Sequence, residues 1–489
     1  MRLAWLAAAI AAVLPGVARA QSAVAQQQVA NIQRDVSSPD AGAFRSHDDL
    51  ERIEARRDRQ EAHDFFEGAG HVRAGEQYGG WTSFTYLDLR DLNHNGAVPE
   101  PIKSVTLADT RAWYEYSWSA RRAFYVRVRK QDLDINTAPG AVALDTRTKD
   151  QLDVDLLTYD FPVFSTDWRI GRQFLRMGRG LVLSDILDGA RIEYRSHNGV
   201  KTSGFVGSTL HRSDNIDTNV VGFDQGHNNR TFVGVTGEYT TTTNDRPYAY
   251  FMKENDNSDT ANPIQDPFSF QYDAFYWGVG SDGPIGDDTL YSLELVFEGG
   301  KAGTSNGGTG REKIDAGAAW LSVFHRLVGT SLPTLTFDYA WGSGDNGRFS
   351  VTDSGPRGPR SGLGDENFIG FGRFEGGLAL QPRLSNLHVI RAGFQCKPLE
   401  GKLKAPSDLL AGFKITDYEK SNPKGVISDP LATVAKSHVG IGTDVFVAYK
   451  PMSDLDLLFE YGGFSPGGAF PIGAKEESHK LAVTATISY

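Results

Sequence analysis

Eight arginines carry the chemistry that can be read from this chain: Arg111, Arg127, Arg129, Arg169 and Arg191 in its first half, and Arg373, Arg383 and Arg391 in its second. A guanidinium is permanently charged, and its planar fork of donors holds a carboxylate with two bonds. Spacing matters as much as type. Arg127 and Arg129 alternate with Phe124, Val126 and Val128. In an extended chain that puts the charges on one face and the apolar side chains on the other. A series of such faces would bind an anionic solute, and a polyanion could slide along it by exchanging partners. The same arginines have a plainer use. They can pair with Asp109, Glu115, Asp153, Asp155 and Glu193 and brace the wall that carries them. The sequence leaves both uses open.

Other chemistry is poorly supported. The chain has no Gly-x-Ser-x-Gly, no His-Glu-x-x-His and no phosphate-binding loop. His325, His388 and His438 stand without the spacing of a catalytic set. Asp91-Leu92-Asn93-His94-Asn95-Gly96 begins like a calcium loop, but its twelfth position is Ile102 and not a bidentate glutamate, so it reads as a polar turn. Cys396 is the single cysteine, which excludes an internal disulfide and a cysteine-cluster metal site. No catalytic residue, metal or cofactor is expected.

The elements that position the arginines are strands. Leu335, Phe337, Tyr339 and Trp341 alternate with Thr336, Asp338 and Ala340. Leu455, Leu457, Phe459 and Tyr461 alternate with Asp456 and Glu460, and Ala190, Ile192 and Tyr194 with Arg191, Glu193 and Arg195. Ala108, Ala112, Tyr114, Tyr116 and Trp118 oppose Asp109, Arg111 and Glu115. The last nine residues repeat the pattern, with Leu481, Val483, Ala485, Ile487 and Tyr489 on one face. An apolar edge strand invites aggregation unless it pairs with the first strand of a closed barrel. In such a barrel the apolar face meets lipid and the polar face lines a lumen. An Arg or Lys facing lipid at mid-depth costs about 2–4 kcal/mol, so the charges are expected to face inward.

Strands with this grammar run from Trp81 to Tyr489 and number about eighteen, an even count as bacterial single-chain barrels require. Connections after even-numbered strands are short: Ser119–Arg122, Asp160–Thr166, Ser196–Lys201, Asp282–Asp288, Leu327–Pro333 and Lys450–Ser453. Those after odd-numbered strands are long: Asp134–Asp150, His211–Arg230, Lys253–Asp273, Ser343–Ser385 and Glu419–His438. That sorting is the signature of periplasmic turns and extracellular loops. Gln395–Pro406 breaks the rule. The fold class expected is therefore all-β: a transmembrane antiparallel β-barrel over residues 76–489, preceded by a short periplasmic extension, helical or disordered, over residues 21–75. In that leader, Asp48-Asp49 and a charged run up to Phe65-Phe66 read as a short exposed helix.

Residues 1–20 read as a signal peptide: Arg2, an apolar run from Leu3 to Val17, and Ala18-Arg19-Ala20 before Gln21. Its removal takes the formal net charge from −11 to −13 by subtracting Arg2 and Arg19. So acidic a chain is a poor binder of nucleic acid. Mean hydropathy is −0.36, and no later stretch is apolar enough for a transmembrane helix. A β-barrel escapes such scans because only alternate residues face lipid.

Two segments give the pattern a family. Trp168-Arg169-Ile170-Gly171-Arg172-Gln173 leads to Asp188-Gly189-Ala190-Arg191. Phe337-Asp338-Tyr339-Ala340-Trp341-Gly342-Ser343-Gly344-Asp345 is followed, after a long loop, by Phe371-Gly372-Arg373-Phe374 and Leu384-Ser385-Asn386-Leu387. In motif and order these resemble the bacterial alginate export family, over about Trp81 to Tyr489. The resemblance implies an eighteen-stranded outer-membrane barrel whose arginines meet the uronate carboxylates of an exported polysaccharide. It carries that role onto Arg169 or Arg172, Arg373 and Arg383. Strand phase selects Arg169, because Arg172 falls with Trp168 and Ile170. The family's late periplasmic plug has no counterpart in the short Lys450–Ser453 turn, which leaves Gln395–Pro406 or the leader Gln21–Gly75 to take its place.

The expected partners are an anionic polysaccharide or other anionic solute, outer-membrane lipid and periplasmic secretion components, with no nucleic acid. The alternative is an uptake porin for small carboxylates or oligosaccharides. An outer-membrane enzyme would need a nucleophile and base at the rim, which the sequence does not offer.

Overall fold

A computed structural model describes residues 75–91, 94, 102–119, 121–137, 152–196, 198–209, 230–257, 272–304, 310–348, 359–372, 374–403, 408–429 and 431–489. The signal peptide, the leader with its expected helix, and Arg373 lie outside the described residues. Eighteen strands follow in chain order. They are β1 (Gly75–Arg90), β2 (Ile102–Ser119), β3 (Arg122–Thr137), β4 (Leu152–Val163), β5 (Thr166–Met177) and β6 (Leu183–Arg195). Next come β7 (Val200–Ser208), β8 (Arg230–Tyr239), β9 (Arg246–Asp256), β10 (Tyr272–Ile285), β11 (Thr289–Gly303) and β12 (Arg311–Arg326). The last are β13 (Thr334–Gly342), β14 (Leu387–Cys396), β15 (Asp408–Lys420), β16 (His438–Met452), β17 (Leu455–Pro466) and β18 (Ser478–Ser488).

Every strand pairs antiparallel with its sequence neighbours, and β1 pairs with β18, so the sheet closes on itself. The seam is regular from Trp81↔Ser488 to Arg90↔His479. Gly80 and Tyr489 exchange both backbone hydrogen bonds at 2.9 Å. Inside the seam, Ser83 and Thr85 hydrogen-bond Thr486 and Thr484 at 2.8 and 3.0 Å. Closure leaves no free edge at the seam, which is what the apolar last strand required.

The faces sort as the alternation predicts. Phe84, Tyr86, Phe337, Phe459, Val483 and Ile487 are exposed on the outer surface. Asp109, Arg111, Glu115, Arg127 and Glu193 are buried on the inner one. Tyr116, Trp118, Tyr159, Phe161 and Trp168 touch in sequence at 4.8–6.5 Å between ring centroids and form a belt near the short turns. Aromatic belts of this kind mark the membrane–water interface of barrels. The described part of the connection after β14, residues 397–403, stays at the short-turn end. Lys397 donates its backbone N–H to Ser331 and pairs with Asp408 at 3.1 Å, so this segment folds against the neighbouring 327–333 turn.

The lumen is not empty. Its largest apolar cluster joins Leu175, Met177, Leu181, Val182 and Leu183 to Phe232, Tyr250, Tyr272, Tyr276, Phe368 and Phe371. Two segments bring these residues inside. One is the tip of the β5–β6 hairpin. Pairing of β4 with β5 stops at Leu157↔Arg172, and pairing of β6 with β7 stops at Asp188↔Ser208. Arg172 and Asp188 face each other on one rung, and beyond it the hairpin pairs with no other strand of the wall. The rung just before is Gly171↔Gly189. A Cβ on either glycine would lie 2.1 Å from a neighbouring strand's carbonyl, Leu157 O or Val206 O, and only glycine lets both strands turn here. The other segment is the long 343–386 connection, described next.

Candidate functional site

The first-half arginines stand together on the inner wall of β2 to β6, each against a carboxylate. Arg111 forks onto Asp109 at 3.0 and 3.1 Å and reaches Asp155 at 3.4 Å. Arg127 donates Nε to Asp155 at 2.7 Å. Arg129 reaches Asp109 at 2.8 Å. Trp81 lies under the guanidiniums of Arg111 and Arg127, 5.7 and 5.5 Å from its ring centre. Asp155 is available because β4 bulges there: Arg127 pairs with Leu156 and Val128 with Val154, which turns the extra residue inward. Arg169 forks onto Asp160 across the β4–β5 rung at 2.6 and 2.8 Å. Arg191 donates to Glu193 at 2.9 Å, and Arg195 and Lys201 share that carboxylate.

The bracing use is therefore realised. In these pairs seven cations, Arg111, Arg127, Arg129, Arg169, Arg191, Arg195 and Lys201, share four carboxylates. Glu115, buried on the same face, adds one more acid. Access divides the cations. Arg111, Arg127 and Arg169 are buried, whereas the side chains of Arg129, Arg191, Arg195 and Lys201 keep 12, 15, 22 and 24 % of their surface open. Arg195 and Lys201 were not singled out in the sequence, although Arg195 continues the alternation of Arg191 and Glu193.

Arg172 faces outward, as strand phase indicated. It forks onto Asp188 at 2.9 and 3.1 Å and donates Nη1 to Val154 O at 2.7 Å. That bond takes the place of a strand rung where β4 and β5 part.

Of the second-half arginines, Arg383 lies on a strap and Arg391, on β14, holds it. The described residues 359–372 and 374–386, between β13 and β14, lie along a path across the lumen. Asp365 bridges to Lys313 and Asp315 on β12, and buried Arg348 forks onto its carboxylate. Burial lowers the Arg348 pKa, but the Asp365 charge more than offsets this, and the group stays above the ordinary arginine value. Ile369 receives Tyr276 Oη at its carbonyl and gives its N–H to Glu298 at 2.9 Å. Phe371 N and Gly372 N donate to Val182 O and Leu181 O at 2.9 and 3.2 Å, so the strap is tied to the hairpin tip. Four residues later it has reached the opposite wall. There Glu375 O accepts from Arg391, Gly376 O from Tyr418, and Asp444 accepts from Leu378 N at 3.1 Å. Since β5–β6 and β14–β15 stand nine places apart in a ring of eighteen, strap and hairpin tip together span the lumen. Arg391 thus anchors the strap, and Arg383 sits on its return, with its N–H on Ser428 at 2.9 Å. Arg373 lies between the two anchorages in sequence and outside the described residues.

The hairpin tip has its own fixture, Arg179, which the sequence reading passed over. Its guanidinium lies 3.9 Å from the Trp320 ring centre on β12 and donates to Ser322 Oγ at 2.8 Å and Ser292 O at 3.1 Å. Its N–H goes to Glu294 at 3.1 Å. Burial pulls its pKa down. Of the calcium-like run, His94 is described with Asp91. It is buried against Phe464 and Phe470 with Nε2 3.1 Å from Asp429, an aromatic anchor for the first loop. Among the described residues no group of acidic, histidine or cysteine side chains could hold a metal.

A family model described as alginate export matches residues 165–484. No curated protein matches. Solved structures match across the barrel at low identity. OpdK of Pseudomonas aeruginosa with vanillate is 10 % identical, with 85 % of this chain and 99 % of that one covered at a TM-score of 0.52. OccK9 (OpdG) of the same organism is 11 % identical, with 84 % and 97 % covered at 0.52. OccAB4 of Acinetobacter baumannii is 10 % identical, with 86 % and 99 % covered at 0.51. At such identities these likenesses speak for the fold alone.

Proposed function

The chain belongs to the alginate export family, whose members are outer-membrane channels for polysaccharide, and on that premise we propose that its cargo is anionic and travels along the β2–β7 wall. The observation that carries this reading is the row of cations on the inner wall of β2–β7, with the side chains of Arg129, Arg191, Arg195 and Lys201 partly exposed. A cargo carboxylate approaching there would share a guanidinium already held in place, so little side-chain entropy is lost on binding. Arg383 on the strap faces the same task from across the lumen. Arg111, Arg127 and Arg169 act behind these residues by fixing the carboxylates that orient the wall.

The test is conductance in planar bilayers for wild type and Arg191→Ala with Arg195→Ala. Block by oligouronates that strengthens with chain length, and is lost in the variant, supports transport of a polyanion. Block by single carboxylates without length dependence selects the small-carboxylate uptake channel. Equal block by neutral and acidic oligosaccharides overturns the anionic cargo.

A further inference from the structure

We propose that Arg179 is a positioning residue that holds the β5–β6 hairpin tip in the lumen, and that release of this tip lets it swing out to complete the barrel wall beside β4. This rests on the protein's being a channel and not on which anion it carries.

The wall is unfinished where the hairpin leaves it. Above Leu157, residues Leu152–Leu156 of β4 have no strand partner on the β5 side, while β5 residues Gln173–Met177 pair only with β6. These two stretches would meet if the β4–β5 ladder continued. The bulge at Asp155 adds one residue to β4, so the continued register sets Val154 opposite Phe174, both on the outward phase. An open strand edge at membrane depth is unfavourable, because lipid offers no hydrogen bonds. Arg172 offsets part of that cost by donating to Val154 O. The bend itself sits on the Gly171↔Gly189 rung, where neither residue has a side chain to resist rotation.

Against this pull stand the fixtures inside. Arg179 places its cation on Trp320 and its donors on Ser322, Ser292 and Glu294, far around the ring from its own strands. Leu181 and Val182 hold the strap by two backbone bonds. The tip thus has two sets of partners for one set of residues, lumenal ones now made and a wall edge now vacant. Moving it outward carries Leu175, Met177, Leu181 and Leu183 from the lumenal cluster back to the wall and unties the strap, which widens the path. Arg179 is the residue to remove, because its bonds serve the tip and no rung of the wall.

The experiment is done on the full-length protein with Cys396→Ser, in bilayers and on gels. Val154→Cys with Phe174→Cys places two thiols at the expected wall register, where a cross-strand disulfide would form only with the tip outward. Leu183→Cys with Phe371→Cys, which face each other in the docked state, reports the lumenal position. We expect the wall pair to crosslink slowly in the parent and readily when Arg179→Met is added, with a rise in potassium chloride conductance that reverses on reduction. The lumenal pair, oxidised, should hold conductance low whether or not Arg179 is present. Arg179→Lys, which keeps the charge near Trp320, should fall between. If Arg179→Met leaves heat-modifiable migration intact yet neither speeds the wall crosslink nor raises conductance, the proposal is overturned. The crosslink is read without any solute, so its failure is distinct from a failure to find the anionic cargo.

Discussion

Gly372→Ala should open the channel without weakening the barrel. A Cβ at this position would stand 1.7 Å from Gly180 O, against the 3.0 Å below which real Cβ contacts essentially do not go. The contact is with backbone on both sides, so no side chain can rotate away. The strap must withdraw by about 1.3 Å, and two hydrogen bonds, Phe371 N to Val182 O and Gly372 N to Leu181 O, are lost or stretched. At about 0.5–1.5 kcal/mol each, that alone costs about 1–3 kcal/mol of docking. If Phe371 leaves its pocket among Phe232, Tyr272 and Tyr276, a further loss approaching the ~3–5 kcal/mol of a buried phenylalanine follows. Since about 1.4 kcal/mol is tenfold in an equilibrium, even the middle of the smaller range shifts the docked-to-free ratio by an order of magnitude. The assay is single-channel recording in potassium chloride, with Gly473→Ala as control because nothing lies within 4 Å of its Cβ. The expected record has higher mean conductance and more frequent transitions, with heat-modifiable migration unchanged because residue 372 makes no wall rung. Conductance and noise equal to wild type would show that the strap does not limit the path.

Arg348→Ala should loosen the same strap from its other end. It leaves Asp365 buried without its cation, a loss of about 3–5 kcal/mol for a broken buried pair, and limited proteolysis should cut the 343–386 segment sooner. Glu193→Gln removes the carboxylate shared by Arg191, Arg195 and Lys201, so the reversal potential in a salt gradient should move toward chloride selectivity. Asp188→Leu strands Arg172 on the outer surface and should cost about 2–4 kcal/mol of barrel stability in urea unfolding from vesicles. Most of that loss should return in the double variant with Arg172→Leu, since both charges are then gone.

The wall was legible because a strand's side chains alternate with a period of two and the membrane penalises every misplaced charge. Even the limits of β5 and β6 carried information. The alternation in the sequence resumes at Asp188, and Asp188 is where β6 begins to pair with β7. What alternation cannot report is the path of the chain once it leaves the wall. Leu181-Val182-Leu183 and Phe368-Ile369 read as ordinary loop residues, yet they form the apolar filling of the lumen. Their only sequence signal is that they are greasy runs inside connections that should be polar. The expected substitutes for the missing periplasmic plug were a late turn and the leader. The described turn residues stay with their neighbours at the rim, the leader lies outside the described residues, and the obstruction comes from the opposite mouth. Charge pairing was half legible: the acids facing Arg111 and Arg127 were named, but Asp160 opposite Arg169 depends on the β4–β5 register, which no single strand encodes.

Pairing and transport are compatible demands on these arginines. A free, flexible arginine would bind a uronate tightly and release it slowly, and conduction needs sites weak enough to leave. An arginine already forked onto aspartate, as Arg169 is on Asp160 and Arg111 on Asp109, is rigid and largely satisfied. It can orient neighbours but offers little to a passing anion. Arg191 and Arg195 hold one carboxylate between them, with Lys201 3.9 Å from it, and all three side chains stay partly exposed. On the proposed function the wall separates the two uses that the sequence left open: forked arginines near Trp81 and on β5 build the scaffold, and the partly exposed cations toward the β6–β7 turn are the shallow sites proposed for a polyanion.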